Sequence, residues 1–324
     1  MRLFGHSQAL FSPKELACLW KQFVRNISDR RKGVSLMKGP VGRGSLSVAW
    51  WNTSISPYGT GASKSNKNNV LTTILDLATE NDLVGLGEFA DDTMMHEIEM
   101  KLPLYKKLQS LYYKSGRIEF KSAIIYDSAV LKMVEIDADN ANLVKADSAA
   151  IYGQYRVGQK VRMELQALQA IVDVYLVHWS QKDEPYGDAR KQAAATRLNR
   201  DIFGEEKCRL KDAAAILMGD FNSEPCSCAF APLNVSRSSQ YVRQRGGLYN
   251  PFWRKLHDEN GTLKELNAND VRCDVPLFDS IMVTSTFLNL PGCKVYERIY
   301  GCKYYNPQHA EHSPVGLKIV WRKD

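Results

Sequence analysis

Short apolar runs of strand length recur along the chain, and several of them end on a polar side chain. In the clearest case, the apolar residues 215–218 reach Gly219 and are followed by Asp220 and Asn222. Alternate side chains of an extended backbone point the same way, so Asp220 and Asn222 can face one pocket. On its own, this stretch is equally consistent with a buried strand that ends in an ordinary turn.

The hydrophobic pattern as a whole predicts a large α/β or α+β domain built on packed sheets. Strands are predicted at residues 46–51, 83–87, 118–126, 130–136, 215–220, 278–283 and 315–320, together with a hairpin over 157–177 that turns at Gln169. Helices are predicted at residues 70–78, 91–102 and 188–203. Two polar segments, residues 61–69 and 236–247, are predicted as loops.

The N-terminal segment, residues 1–44, is predicted to be an amphipathic helix followed by a Gly-rich linker. Ser12 and Glu15 match a capping box, with Pro13 at the first helical position. An apolar stripe at helical spacing follows over residues 16–27. We favour a helix that packs on the domain of residues 45–324. The alternative is a helix that docks a regulatory protein partner.

The net charge, the cysteines and the lengths of the apolar stretches limit the partners and the compartment that we expect for this protein. The chain has 324 residues, and its 43 Lys and Arg exceed its 36 Asp and Glu, giving a formal net charge of +7 that leans toward a polyanionic partner. Seven cysteines without a CxxC pair indicate reduced thiols in a cytoplasmic protein, although Cys293 and Cys302 could lie across a hairpin. No apolar stretch has the length of a signal h-region or a membrane span, so no membrane partner is expected.

Polar residues at the predicted strand ends form a candidate metal site. They are Asn52, Glu88, His178, Asp220 with Asn222, Asp279, and Glu311 with His312. A carboxylate buried beside a core needs a cation or a hydrogen-bond donor. Several such acids in one pocket therefore indicate a divalent ion, and oxygen ligands favour Mg²⁺ or Mn²⁺.

The order of these residues resembles the endonuclease/exonuclease/phosphatase superfamily, which includes the deoxyribonuclease I-like enzymes. The resemblance rests on Trp51-Asn52, Glu88, His178, Gly219-Asp220-Phe221-Asn222, Asp279 and Glu311-His312-Ser313-Pro314-Val315, and it extends from Leu46 to Trp321. It implies an α/β fold in the form of a four-layer α/β/β/α sandwich, with the site at one edge of two packed mixed sheets.

The resemblance also implies roles for individual residues. Glu88 would be the principal metal ligand, with Asn52 and Glu311 as further contacts. Asp220 would align or deprotonate the attacking water, while Asn222 would hold that water or the phosphate. His312, oriented by Asp279, would press on the scissile phosphate, and His178 would stabilise its developing charge or assist the leaving oxygen. Arg190 falls where the family often has a supporting basic residue.

Two positions depart from the family pattern. Glu311 stands where Asp is usual, so its longer reach puts the second metal contact in doubt. Gly87 stands where Gln often precedes the metal glutamate, which removes an amide beside the ligand.

The substrate is left open by the resemblance, because one fold hosts many activities. The net charge, the lysines of residues 61–69 and Arg243 with Arg245 favour nucleic acid, and we expect a nuclease, foremost an endonuclease, with little sequence preference. Tyr241 and Tyr249 could stack on bases. The alternatives are a phosphatase or phosphodiesterase that acts on a small nucleotide or metabolite, and a non-catalytic binding module.

Overall fold

Two β-sheets pack face to face and carry helices on their outer faces. The computed structural model describes residues 43–55, 64–89, 92–115, 118–136, 144–145, 155–179, 187–204, 214–256, 262, 276–300 and 312–322. The predicted N-terminal helix and most of its linker lie outside these residues. Among the helices that are described, none combines the length and the apolar character needed to cross a membrane.

The regular elements alternate along the chain much as the hydrophobic pattern predicts. The strands are β1 (Arg43–Ile55), β2 (Leu83–Phe89), β3 (Lys106–Ser110), β4 (Tyr113–Ser115), β5 (Ile118–Phe120), β6 (Ala123–Asp127), β7 (Leu131–Ile136), β8 (Val144–Lys145), β9 (Tyr155–Arg156), β10 (Gln159–Leu165), β11 (Ala170–His178), β12 (Ala215–Asp220), β13 (Val235–Ser236), β14 (Leu248–Tyr249), β15 (Asp279–Thr284), β16 (Lys294–Ile299) and β17 (Val315–Arg322). The helices are α1 (Lys64–Glu80), α2 (Asp92–Lys101), α3 (Gly187–Phe203), α4 (Ser239–Arg245) and α5 (Ser285–Leu288), and 3-10 turns cover Cys228–Leu233 and Pro251–Lys255.

The two large sheets contain most of the strands. One has six strands in the order β16-β17-β1-β2-β6-β3, and the other has seven in the order β13-β14-β15-β12-β11-β10-β7. Strand β1 runs parallel to β2, and β11 runs parallel to β12. Each sheet therefore has a pair of central strands whose carboxyl ends lie side by side.

Three apolar cores separate four layers. The largest lies between the sheets and joins side chains of β1, β10, β11, β12, β15 and β17. A second lies between α3 and the outer face of the seven-stranded sheet. The third lies between α1, α2 and the outer face of the six-stranded sheet. This arrangement confirms the expected α/β/β/α sandwich.

Strand β1 illustrates how the sequence separates these cores. Val48 and Trp50 belong to the core between the sheets, whereas Ala49 and Trp51 belong to the core beneath α1 and α2. The alternation follows from the two-residue period of a strand, and both faces are apolar because β1 is covered on both sides. By the same period, Asn52 follows Trp50 on the side that faces the opposite sheet.

Three local predictions are wrong. The predicted strand 118–126 divides into β5 and β6, which belong to different sheets, at the polar pair Lys121 and Ser122. The predicted loop 236–247 contains α4, which Ser238 caps by accepting a hydrogen bond from the Tyr241 N–H. The polar segment 61–69 is helical from Lys64 onward, where polar residues form the start of α1 ahead of its apolar stripe.

Candidate active site

Polar side chains from both sheets meet at the carboxyl ends of the two parallel strand pairs. Asn52 of β1 is in register with Gly87, one residue before Glu88, and His178 of β11 is in register with Asp220 of β12. Because the antiparallel strand β15 begins beside the end of β12, Asp279 pairs with Asp220. The structure thus brings together the predicted residues from five strands.

His312 and Asp279 form a buried pair at the centre of this site. His312 Nδ1 lies 2.7 Å from Asp279 Oδ2, and Asp279 is 0% exposed. The other carboxylate oxygen, Oδ1, accepts a hydrogen bond of 2.9 Å from the Trp50 indole N–H. The backbone of His312 is also fixed, because its carbonyl oxygen accepts a hydrogen bond of 2.8 Å from the Trp51 indole N–H. Both partners are therefore fixed.

Thr262 ties together the two chain segments that carry this pair. Its Oγ1 accepts the backbone N–H of Asp279 at 3.0 Å, and its carbonyl oxygen accepts the N–H of Ser313 at 2.7 Å. The sequence pattern did not point to Thr262, because it belongs to no apolar run or motif. Its position shows that it fixes the spacing between the strand of Asp279 and the residue after His312.

Asp220 is the point on which the other groups converge. Its Oδ2 accepts a hydrogen bond of 3.1 Å from Asn52 Nδ2 and lies 3.6 Å from His312 Nε2 and 3.8 Å from His178 Nε2. Its Oδ1 accepts the backbone N–H of Asn222 at 2.8 Å. A carboxylate with this many donors remains ionised even though it is buried.

The charges of the site determine where its protons reside. Burial lowers the pKa of His312, but the neighbouring Asp279 and Asp220 carboxylates outweigh it and raise this pKa to about 10. Burial raises the pKa of Asp279, opposed by the charge of His312. Burial would also raise the pKa of Asp220, yet the charges of His312 and His178 lower it below its usual value. The three groups together favour an imidazolium between two carboxylates.

Asn222 supports Asp220 rather than pointing its amide nitrogen into the site. Its backbone is in the left-handed region, with φ of 46°, which turns its N–H toward Asp220. Its side-chain Nδ2 donates a hydrogen bond of 2.9 Å to the Trp179 carbonyl oxygen. The described contacts of Asn222 therefore hold the turn after β12 in place.

Lys191 is a site residue that the sequence did not single out. It is 1% exposed, and its Nζ donates hydrogen bonds to the Asn222 carbonyl oxygen at 2.5 Å and to Ser223 Oγ at 3.0 Å. Its spacing from the buried Ala194 and Ala195 on α3 could have shown that it faces inward. The preceding residue, Arg190, lies half-buried on the same helical turn.

The oxygen-rich side of the site fits a hard divalent cation. The Glu88 side chain is 31% exposed, and its Oε1 lies 3.3 Å from Asn52 Nδ2 and 3.6 Å from His178 Nε2. Asp220, Asp279 and His312 also offer ligand atoms within 4.8 Å of one another. Glu88 is the most exposed of these carboxylates, and Asp220 shares the Asn52 Nδ2 donor with it, so these two are the better ligands for Mg²⁺ or Mn²⁺.

Asn52 contributes to this side through its amide nitrogen. Its Nδ2 faces Glu88 and Asp220, whereas its Oδ1 accepts the Ser54 N–H at 3.2 Å. Asn52 in this orientation orders the two carboxylates and does not present an oxygen to a cation. The other predicted ligand, Glu311, lies outside the described residues.

Two of the predicted substrate-binding arginines, Arg243 and Arg245, lie away from Asp279. Helix α4, which carries Arg243 and Arg245, lies by β14, and β14 pairs with the end of β15 that is distant from Asp279. Arg243 Nη2 donates a hydrogen bond of 3.2 Å to the Cys293 carbonyl oxygen. A run of basic residues in the sequence carries no information about which end of a sheet it will occupy.

The two tyrosines predicted to stack on bases differ in exposure. Tyr249 is 3% exposed and belongs to the core between the sheets, so its proposed stacking role is wrong. Tyr241 is 47% exposed on α4, at the end of the sheet distant from Asp279.

Solved structures with the same arrangement of layers identify the fold. An endonuclease/exonuclease/phosphatase family protein from Bacteroides thetaiotaomicron superimposes with a TM-score of 0.57 at 17% identity, covering 86% of this chain and 96% of that one. The chain has the endonuclease/exonuclease/phosphatase fold. The same fold is found in the mannosyl-6-phosphatase Bt3783 of Bacteroides thetaiotaomicron, with a TM-score of 0.56, 16% identity, and 85% and 100% of the two chains covered.

A third structure with the endonuclease/exonuclease/phosphatase fold is that of D. rerio TDP2 complexed with single strand DNA product. Its TM-score is 0.54 at 14% identity, over 85% of this chain and 99% of that one. No protein-family model and no curated protein matches the sequence. At this level of identity the likeness extends to the fold, and activity depends on the site residues.

Proposed function

We propose that this protein is a divalent-metal-dependent phosphoester hydrolase. The observation that carries the proposal is the buried His312–Asp279 pair, with His312 Nε2 3.6 Å from the Asp220 carboxylate and Glu88 beside it. A positive donor, an ionised acid and a partly exposed carboxylate in one pocket are the groups that in-line attack on a phosphate requires.

Asp220 acts on the attacking water, and His312 acts on the phosphate. Asp220 is ionised, so it accepts a hydrogen bond from the attacking water and takes up its proton. His312 carries a proton on each ring nitrogen, donates one to Asp279 and directs the other, on Nε2, at a phosphate oxygen. His178, with a side chain 18% exposed, also lies near Asp220, its Nε2 3.8 Å from Asp220 Oδ2, and stabilises charge on the phosphate or the leaving oxygen.

Glu88 and Asp220 would hold the cation, with Asn52 ordering both carboxylates. A bound Mg²⁺ or Mn²⁺ supplies charge neutralisation on the phosphate and a template that orients the reacting groups. Glu311 adjoins His312 in the sequence, and its carboxylate is proposed as a further contact to the cation. Arg190, half-buried at the start of α3, is proposed to bind the substrate.

The finer proposal is a nuclease that cuts DNA or RNA with little sequence preference. Its support is the net charge of +7, which attracts a polyanion, and a fold neighbour that was solved in complex with a single strand DNA product.

A second candidate is a phosphatase or phosphodiesterase that acts on a small nucleotide or phosphorylated metabolite. Two observations favour it: Arg243 and Arg245 lie on the helix distant from Asp279, and Tyr249 is buried. The mannosyl-6-phosphatase among the fold neighbours is consistent with it.

A substrate panel tests the proposal. Purified protein is incubated with DNA, RNA, abasic duplex, cyclic dinucleotides, inositol phosphates and sugar phosphates, in Mg²⁺ or Mn²⁺ and in EDTA. We expect hydrolysis of at least one phosphoester that EDTA abolishes and that added Mg²⁺ or Mn²⁺ restores. Cleavage of polymers supports the nuclease, and cleavage of the small substrates alone supports the second candidate. Cleavage that persists unchanged in EDTA would contradict the metal dependence.

A further inference from the structure

Trp50 is buried in the core between the sheets, yet its one polar atom reaches the site. The residue is 1% exposed, and its Nε1 lies 2.9 Å from Asp279 Oδ1. An indole N–H buried without a partner costs free energy, so a purely space-filling role would be better served by an apolar side chain. The bond joins it to a carboxylate that is itself 0% exposed.

The neighbouring strand β2 has glycines where the Trp50 indole lies against it. Trp50 pairs with Gly85 on β2, and a Cβ added at Gly87 would lie 2.7 Å from Trp50 Cζ2 and 2.8 Å from Cη2. A Cβ at Gly85 would lie 3.0 Å from Trp50 Cε3. Real Cβ atoms do not approach ring carbons to 2.7 Å, so any side chain at position 87 would displace the far end of the indole.

We propose that Trp50 is a positioning residue of the active site, which fixes the orientation of Asp279 and thereby of His312, and that Gly87 is present to admit its indole. Asp279 Oδ1 is held by Trp50, so the carboxylate cannot rotate and Oδ2 stays directed at His312 Nδ1. His312 Nε2 then keeps its place in the site, 3.6 Å from Asp220 Oδ2. Only the kinetic predictions made from this arrangement rest on the proposed function.

Gly87 stands where Gln often precedes the metal glutamate in the family that the sequence resembles. A Gln side chain and the Trp50 indole cannot both occupy the space above β2. The chain thus has no side-chain amide at position 87 and has an indole donor to Asp279 instead. Positions 50 and 87 form a coupled pair, and replacing either alone disturbs Asp279.

The first test is spectroscopic and does not require the protein to have a known enzymatic activity. The six tryptophans are labelled with ¹⁵N at Nε1, and the signal of Trp50 is assigned from the Trp50→Phe spectrum. We expect Asp279→Asn and Gly87→Ala each to shift the Trp50 N–H signal while the signal of Trp321 stays in place. A Trp50 signal that neither substitution moves would overturn the proposal, whether or not the protein hydrolyses phosphoesters.

The second test is a double-substitution cycle on the substrate that the panel identifies. Trp50→Phe removes the N–H and the two ring atoms nearest position 87, and we expect kcat to fall about tenfold or more with little change in KM. Gly87→Ala should lower kcat similarly. The double variant should be no slower than Trp50→Phe, because phenylalanine leaves room for the added Cβ. Losses that simply multiply would overturn the coupling of the two positions.

Trp321→Phe is the matched control. Trp321 is 1% exposed in the same core, and its indole nitrogen has no hydrogen-bond partner among the described residues. The substitution removes the same volume without removing a donor to the site. We expect a lower melting temperature with kcat unchanged. An equal loss of kcat in Trp321→Phe would show that Trp50 acts only through stability.

Discussion

At the level of single residues, the site is held together by opposite charges that are buried next to one another. Asp220 and Asp279 are both buried, and His312 lies between them. A buried carboxylate without a counter-charge is expensive, so the imidazolium stabilises the fold as well as the proposed reaction. A divalent cation bound nearby would lower the pKa of His312, since like charges disfavour each other.

The raised pKa of His312 gives a pH dependence of stability. Its folded pKa of about 10 exceeds its ordinary value of 6.5, so the folded state binds the proton more tightly than the unfolded state. The stabilisation is complete below pH 6.5 and is lost as the pH rises through 10. In EDTA, we expect the difference in melting temperature between wild type and His312→Gln to be largest at about pH 6 and to shrink toward pH 10. A difference that is flat or grows with pH would contradict this assignment.

At the scale of elements, the sequence predicts strands and helices well and their contacts poorly. The run from Ala215 to Asp220 is a buried strand because each face meets an apolar layer, and this can be read from the run itself. The inward orientation of Lys191 can be read from its helical spacing, but its contact with Asn222 cannot, since only packing of α3 on the seven-stranded sheet brings the two residues together. The bond from Trp50 to Asp279 depends on the pairing of the two sheets and has no local signal.

Gly219 shows how closely two strands must approach to place Asp220 beside His178. A Cβ at this position would lie 2.1 Å from the Val177 carbonyl oxygen. We expect Gly219→Ala to destabilise the protein by about 1–3 kcal/mol in chemical denaturation, because overpacking forces β11 and β12 apart. We also expect kcat to fall, because Asp220 moves with its strand.

Gly44→Ala provides the comparison for Gly219→Ala. A Cβ there would lie 2.3 Å from the Trp321 ring, at the start of β1 and thus at the opposite end of that strand from Asn52. It should cost stability and spare kcat. If both variants lost kcat equally at a temperature where both are folded, the close approach at Gly219 would have no special role.

At the scale of the whole molecule, one end of the sandwich holds the predicted catalytic groups and the other end holds α4. Asp279 and Val283 mark these ends on β15, and the strand rise separates them by roughly 13 Å. The four layers and the meeting of the strand ends could be predicted from the order of the motifs. The positions of Arg243 and Arg245 could not be predicted, because the net charge of a chain does not determine where its charged residues lie in the fold.

Two matched substitutions test this division of the surface. Arg245 is exposed on α4, and Arg190 is half-buried on the turn of α3 that carries Lys191. For a short phosphoester we expect Arg190→Gln to raise KM several-fold and Arg245→Gln to leave both kcat and KM within about twofold, the range of a surface change away from the site. A raised KM in Arg245→Gln alone would place substrate contacts at the far end.

The most direct measurement of the central claim is the turnover of the fastest substrate in the panel by His312→Gln, compared with wild type and with His96→Gln. His96 is exposed on α2 and serves as the matched control. If His312, oriented by Asp279, acts on the phosphate, His312→Gln lowers kcat by about 100-fold or more while the protein stays folded, and His96→Gln matches wild type. A folded His312→Gln variant with wild-type kcat would contradict the account.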